Sequence, residues 1–247
     1  MTKEELYQEI KKLPNEMPSD KRLAAYFKGE IVDHQPCMMN AGQGVYAKMV
    51  GLANENVNDL EVQCEIIRRK ELLYGMRGTR ASSLLFDPVT STDVLGRKYF
   101  KEISKPHFKR LFDGMTEIIG KKPTIHICGH TRQIWDDLRE IGVSAFSVDD
   151  RESIEELKKK MGNQIMIIGN VAPVDIIRNG SIDEIIAEVK RQLQVAADSP
   201  RGYMIGPGCE IPLATPKENI DAFLYAIRKY GAGAQIGHLP KGLESEL

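Results

Sequence analysis

Thr124-Ile125-His126-Ile127-Cys128-Gly129 is a short run of strand type that carries two metal-ligating side chains. In an extended strand, residues two apart point to the same side, so His126 and Cys128 can hold one ion side by side. A second run of the same kind, Gly202-Tyr203-Met204-Ile205-Gly206-Pro207-Gly208-Cys209, also ends on a ligand residue. If both strands belong to one parallel barrel, the three ligands converge at its carboxyl-terminal mouth, where barrel enzymes do chemistry. Three nitrogen and sulfur ligands with a fourth position open suit catalytic rather than structural zinc.

Working outward from this run, short apolar stretches alternate with amphipathic helical ones from about residue 80 onward, the βαβα pattern of a parallel sheet. The candidate strands are residues 82–86, 124–128, 145–148, 165–171 and 203–205, with a further one at 36–40. Phe108, Leu111, Phe112, Met115, Ile118 and Ile119 recur at steps of three and four and predict one apolar helical stripe that stops near Gly120. Ser153-Ile154-Glu155-Glu156 and Ser181-Ile182-Asp183-Glu184 read as capping boxes. Thr215-Pro216-Lys217-Glu218 repeats the device, with proline at the first helical position, before a last helix that ends at Gly231. Upstream, helices are expected over residues 3–13, 21–29 and 60–74. The fold class is α/β and TIM-barrel-like, in one domain over residues 1–247. Residues 1–80 supply amino-terminal helices and the first strand, 81–231 the core βα units, and 232–247 a carboxyl-terminal tail. About six strands stand against the eight of a closed barrel, so two are hidden or the barrel is incomplete.

Composition excludes several partners. The chain has 247 residues, 42% of them hydrophobic, and a formal charge of -1, which offers no electrostatic case for nucleic acid or an anionic membrane. No run approaches the roughly 18 apolar residues of a membrane span. Met1-Thr2-Lys3-Glu4-Glu5-Leu6 lacks the basic start and apolar stretch of a signal peptide, so a cytoplasmic protein is expected. Its four cysteines then read as thiols or ligands rather than as a disulfide framework. Cys37 and Cys64 have no metal-like spacing and read as small buried hydrophobes. Cys209 lies 81 residues beyond Cys128, too far for a zinc finger, so the fold must bring it back. On spacing alone, buried core residues explain the trio as well as zinc does. Strand-end placement beside glycines favours zinc, which takes thiolate and imidazole readily.

Thr124-Ile125-His126-Ile127-Cys128-Gly129-His130-Thr131, Ala145-Phe146-Ser147-Val148-Asp149, Gly169-Asn170-Val171-Ala172-Pro173 and Gly206-Pro207-Gly208-Cys209-Glu210-Ile211-Pro212 resemble the successive strand ends of the uroporphyrinogen decarboxylase superfamily. More closely they resemble its methylcobamide:coenzyme M methyltransferase branch. The resemblance is dense over residues 85–231, and Asp20 to Asp33 followed by Pro36 looks like the family's opening helix and first strand. It implies zinc at His126, Cys128 and Cys209, and a methylcobamide carried on a partner corrinoid protein. The open fourth position would take a substrate thiol as its thiolate, which would attack the methyl group on cobalt.

The candidate catalytic residues are Asp87, Asp149 and Asn170. Asp87 and Asp149 end strands on one face and either orient a ligand or a histidine or cap helices. Asn170 resembles the seventh strand end and lines the mouth. Glu210, beside Cys209, is placed to fill the open position at rest. His130 reads as a mouth residue in a turn, and Trp135 as packing.

Two departures from the family pattern matter. Where the decarboxylases carry an Arg-Gln-Ala-Gly-Arg segment that grips the porphyrinogen's carboxylates, this chain has Met39-Asn40-Ala41-Gly42-Gln43. The missing guanidinium pair disfavours decarboxylation. Tyr74-Gly75-Met76-Arg77 resembles the end of the second helix, yet Phe86-Asp87-Pro88-Val89 resembles the fourth strand end, so about two βα units are absent. An open barrel, closure by a second subunit in a homodimer, or a homologue without activity would each follow. The leading expectation is methyl transfer from a methyl-corrinoid protein to a thiol such as coenzyme M. The alternatives are transfer to tetrahydrofolate, which has no thiol and leaves the zinc superfluous, decarboxylase-like activity, and a non-catalytic truncated homologue.

Overall fold

The computed structural model describes residues 1–13, 15–74 and 84–244. Five short parallel strands form one sheet in chain order: β1 (Leu84–Asp87), β2 (Thr124–Ile127), β3 (Ala145–Val148), β4 (Met166–Ile168) and β5 (Tyr203–Met204). Before the sheet come α1 (Lys3–Ile10), α2 (Ser19–Phe27), α3 (Gln43–Met49) and α4 (Leu60–Tyr74). Between β1 and β2 run α5 (Gly96–Tyr99), a π-turn (Phe100–Ser104) and α6 (Lys105–Ile119). Next come α7 (Trp135–Ile141), α8 (Ile154–Met161), α9 (Ile182–Ala196), α10 (Lys217–Tyr230) and a short α11 (Lys241–Glu244). The expected alternation of strand and helix holds for every unit after β1. The expected strand over residues 82–86 begins at Leu84 among the described residues, and the segment 75–77 read as the end of a helix lies outside them.

Register aligns Phe86, His126 and Ser147 across the sheet, then Ser147 with Ile168 and Ile168 with Met204. On the opposite face, Ile125, Ile127, Phe146, Val148 and Ile167 are fully buried and join one apolar core with Phe112, Leu138, Leu157 and Leu193 of the covering helices. The segment at residues 36–41 enters as single bridges rather than as a ladder. Cys37 pairs with Ile205 in parallel, with Met38 N donating to Ile205 O at 2.9 Å and Ile205 N to Pro36 O at 3.1 Å. This segment therefore lies beside the chain leaving β5, where a barrel would seat its first strand. Among the described residues nothing joins it to β1 at the far edge, and the sheet stays open there.

Two other expectations are corrected. The α6 stripe is only partly covered: Phe112 is buried, but Ile118 is 87% exposed and Leu111 and Ile119 are about half exposed. Among the described residues α6 packs chiefly on α7 and on the π-turn before it. Cys64 is exposed, since α4 turns Val62 and Ile66 toward the core and carries Cys64 away from it. Cys37 packs against the core, and burial pushes its thiol up to about 12.

Capping chemistry is largely as read. Ser181 and Glu184 form a reciprocal box, the Ser153 hydroxyl accepts from Glu156 N, and Gly120 closes α6 at φ +73°. The exception is Thr215, one residue too early: Pro216 takes the cap position of α10, and the buried Thr215 hydroxyl has no hydrogen-bond partner among the described residues.

The base of the 36–41 segment is fixed by a buried ion pair. Arg22 grips Asp33 through Nε at 2.6 Å and Nη2 at 2.9 Å, with both side chains 6% exposed. Burial opposes the Asp33 charge, but the bonds from Arg22 and Met17 N hold its carboxyl down at about 2. Burial, and then Arg22, push neighbouring His34 down to about 4. Between pH 6.5 and 4 the unfolded chain therefore takes up a proton that folded His34 refuses, so stability falls as pH drops through that window. The Asp33 contribution persists above the ordinary carboxylate range and is lost below it, toward pH 2. Denaturant melts of the wild type should lose about 3 kcal/mol across the histidine window. His34→Gln should flatten that slope, and an unchanged slope would assign the loss elsewhere.

Candidate metal centre

His126 is held at the sheet's inward face by its neighbour strand. Its Nδ1 lies 3.1 Å from Ser147 O and 3.0 Å from Ser147 Oγ. A carbonyl can only accept, so the Nδ1 proton points to it and Nε2 keeps its lone pair, the form that binds a metal. Burial lowers the His126 pKa and so favours the neutral ring, against the opposing pull of Asp149. The Phe86 ring packs on the imidazole at 5.6 Å between centroids.

Cys128 leaves β2 just beyond His126, and its Sγ lies 3.3 Å from His126 Nε2. Cys209 arrives from the loop after β5, and the two sulfurs are 3.6 Å apart. The three donor atoms all lie within 4.8 Å of one another. A tetrahedral zinc with bonds of about 2.3 Å to sulfur and 2.0 Å to nitrogen needs sulfurs about 3.8 Å apart and a nitrogen about 3.5 Å away. The donor set therefore fits zinc in both chemistry and spacing. Burial first, then the Cys209 thiol and the carboxylates of Asp149 and Asp87, push Cys128 up to about 12. A thiolate there calls for a cation beside it.

Glycines make the approach possible at two points. Gly129 has φ +79°, and a Cβ on it would lie 2.6 Å from Asp93 Oδ2. A Cβ on Gly208 would fall within 2.9 Å of the Asp150 Cα and Cβ. The loops of Cys128 and Cys209 thus pack directly on the turns after β1 and β3.

The other expected site residues divide. Asp149, buried beside His126, spends its carboxylate on Gly129 N at 2.8 Å and Arg151 N at 3.0 Å. Asp87 caps the turn after β1, accepting from Val89 N at 2.9 Å, Thr90 N at 3.2 Å and the Thr90 hydroxyl. Asn170 is buried rather than lining the mouth, and its amide is spent on backbone carbonyls. Glu210 is not brought to the trio; its Oε1 lies over Gly42, 2.7 Å from where a Cβ would stand. His130 sits at the rim, its Nδ1 2.8 Å from Asp93. Trp135 is buried and donates from Nε1 to the Thr131 hydroxyl at 3.0 Å. The turns after β1, β2 and β3 enclose a cleft of about 500 Å³ lined by Asp93, His130, Arg151 and Glu152.

Two contributors were missed. Ser147 is a polar residue at an inward position of β3, in register with His126, and strand alternation carried that signal. Glu152 buries a carboxylate that accepts from Thr131 N and Arg132 N, and nothing in its loop sequence marked it.

A parallel α/β sheet thus gathers an imidazole and two thiols at the carboxyl ends of its strands, a group that could hold a metal ion. The chain belongs to the uroporphyrinogen decarboxylase family, whose model matches residues 80–230. A methylcobamide:CoM methyltransferase of Methanosarcina acetivorans is 30% identical over 147 residues, covering 59% of this chain and 41% of that protein. A chloroplastic uroporphyrinogen decarboxylase of Oryza sativa is 29% identical over 124 residues, 50% of this chain and 31% of its own length. A solved methyltransferase from Methanosarcina mazei superposes with a TM-score of 0.51 at 24% identity, covering 73% of this chain and 50% of that one, and it shares the fold. The match to the methyltransferase relatives thus spans about two fifths of their length. Among the described residues no helix is long and apolar enough to cross a membrane.

Proposed function

We propose that the chain is a zinc-dependent methyltransferase that moves a methyl group from a methyl-corrinoid protein to a small thiol such as coenzyme M. One observation carries the reading: two thiols and an imidazole stand at zinc-binding separations, with no fourth His, Cys, Asp or Glu in that group among the described residues. Relatives named as methylcobamide:CoM methyltransferases support the choice of chemistry. Bound there, zinc would supply a cation that keeps an incoming thiol as its thiolate at neutral pH.

The chain's own side chains do the rest. His126 holds one donor position, oriented through Ser147. Cys128 and Cys209 add two anionic sulfurs that keep an incoming sulfur electron-rich. Asp149 fixes the Cys128 loop through Gly129 N. The small thiol and the corrinoid partner would approach the trio from the same mouth, at the carboxyl ends of the strands.

Decarboxylation of a porphyrinogen fits less well, because the 39–43 segment beside the Cys209 loop carries no arginine; Ile211 N donates to Asn40 O there at 2.9 Å. Transfer to tetrahydrofolate leaves the thiol-selective donor set without a purpose. With methylcobalamin as the probe donor and 2-mercaptoethanesulfonate as acceptor, the zinc-loaded protein should demethylate the corrinoid. The rate should collapse after chelation and return with zinc. A rate indifferent to zinc would refute the proposal.

A further inference from the structure

The two sulfurs ride on loops 81 residues apart in sequence, and their separation has to be set by something else. The chain leaving β4 touches the Cys209 loop directly and the Cys128 loop through the 149–152 turn. Gly208, next to Cys209, donates its N–H to Val171 O at 2.8 Å. Asn170, one residue earlier, acts on the other loop: Nδ2 donates to Asp149 O at 3.0 Å and to Glu152 O at 2.8 Å. The turn held in this way presents two carboxylates to the chain after Cys128. Asp149 accepts from Gly129 N at 2.8 Å, and Glu152 accepts from Thr131 N and from Arg132 N, the latter at 2.7 Å.

Asn170 is itself immobilised. Its Oδ1 accepts from Gln192 Nε2 at 3.0 Å, and its N–H donates to Gln192 Oε1 at 3.1 Å. That same oxygen accepts from the Tyr203 hydroxyl at 3.1 Å, and Tyr203 lies on β5, the strand that leads to Cys209. Asn170, Gln192 and Tyr203 are 4%, 2% and 0% exposed. Both amide hydrogens and the amide oxygen of Asn170 are therefore used, and losing one leaves its partner short of a hydrogen bond.

We infer that Asn170 is a positioning residue for the metal centre. Through the 149–152 turn on one side and Val171 on the other, it sets the distance between Cys128 and Cys209. The inference rests on reading the trio as a metal site. Asn219 is the matched control: it is 7% exposed and donates from Nδ2 to Ile177 O at 3.0 Å, Arg178 O at 3.1 Å and Gly180 O at 2.9 Å, on none of the ligand-bearing loops.

The test compares the full-length wild type with Asn170→Ala, Asn219→Ala and Asp149→Asn; the last weakens the same relay nearer Cys128 with almost no change of volume. Zinc affinity is read by chelator competition, ligand geometry from the charge-transfer and ligand-field bands of the cobalt(II) form, and stability from thermal melts. Asn170→Ala and Asp149→Asn should weaken zinc binding about ten- to hundredfold and shift the cobalt bands. Asn219→Ala should lower the melting temperature yet leave affinity and bands as in the wild type.

A metal-free readout runs beside these. Diamide takes two electrons and two protons from Cys128 and Cys209 as their disulfide forms, and Asn170→Ala should slow that step severalfold. Wild-type affinity, bands and oxidation rate in Asn170→Ala overturn the inference, as does an equal loss of zinc in Asn219→Ala. If Asn170→Ala does not fold, Asn170→Asp, which keeps the volume and removes both donated hydrogens, decides by the same criteria. If the wild type binds neither zinc nor cobalt, the metal reading fails, while the oxidation rates still decide whether Asn170 spaces the thiols.

Discussion

Cys209→Ala should bind zinc more than about a hundredfold more weakly than the wild type, which should retain about one ion per chain through gel filtration. The size of the effect follows from the donor set. Free energies of roughly 10–16 kcal/mol are typical of four-ligand structural zinc, so one of three protein donors carries several kcal/mol. Cys128→Ala should behave alike, because the two sulfurs flank the same point at 3.6 Å. The pH dependence supplies a second reading. Burial and nearby carboxylates push the Cys128 thiol up to about 12, and each sulfur must give up its proton to ligate. Zinc affinity should therefore rise with pH, by up to about a hundredfold per unit for two thiols and about tenfold for either alanine variant. Wild-type protein that stays metal-free with zinc supplied across pH 6 to 8 sinks the site.

An incoming thiol should release about one proton near neutral pH when it joins the zinc-loaded centre, and none when mixed with metal-free protein. A free thiol with a pKa near 8.5 is almost wholly protonated at pH 7, so its conversion to a bound thiolate is visible as a stoichiometric proton. X-ray absorption at the zinc edge should register the same event as a change from about two sulfur neighbours to three. Proton release with an unchanged sulfur count would place the thiol elsewhere in the cleft. Neither change would remove thiol activation from the reaction and leave the metal a structural role.

Much of the architecture was legible because local rules and tertiary context agree. The strands at 124–128 and 145–148 have apolar faces that the helices bury, and α8 and α9 start on Ser153 and Ser181, whose hydroxyls do cap them. The α6 stripe was legible as a helix but not in its burial: a period of 3.6 shows that a face is apolar, not whether anything covers it. Ile118, a member of that stripe, is exposed among the described residues. The 36–40 segment likewise read as a strand, yet residues 37 and 41 take part by isolated bridges whose partners lie some 170 residues away.

The candidate site shows the same division. From the sequence alone came the donor types, the placement of His126 and Cys128 on one side of a strand, and the absence of arginines at 39–43. Each is a property of residue identity and period-two geometry. The convergence of Cys209 to 3.6 Å from Cys128 is decided by parallel pairing across the sheet. The distance of Glu210 from the donor atoms, the service of Ser147 to the imidazole and the burial of Asn170 between two loops belong to the fold as well. Hydrogen bonds between residues about 20 positions apart are set by which strands become neighbours, and no local periodicity encodes that.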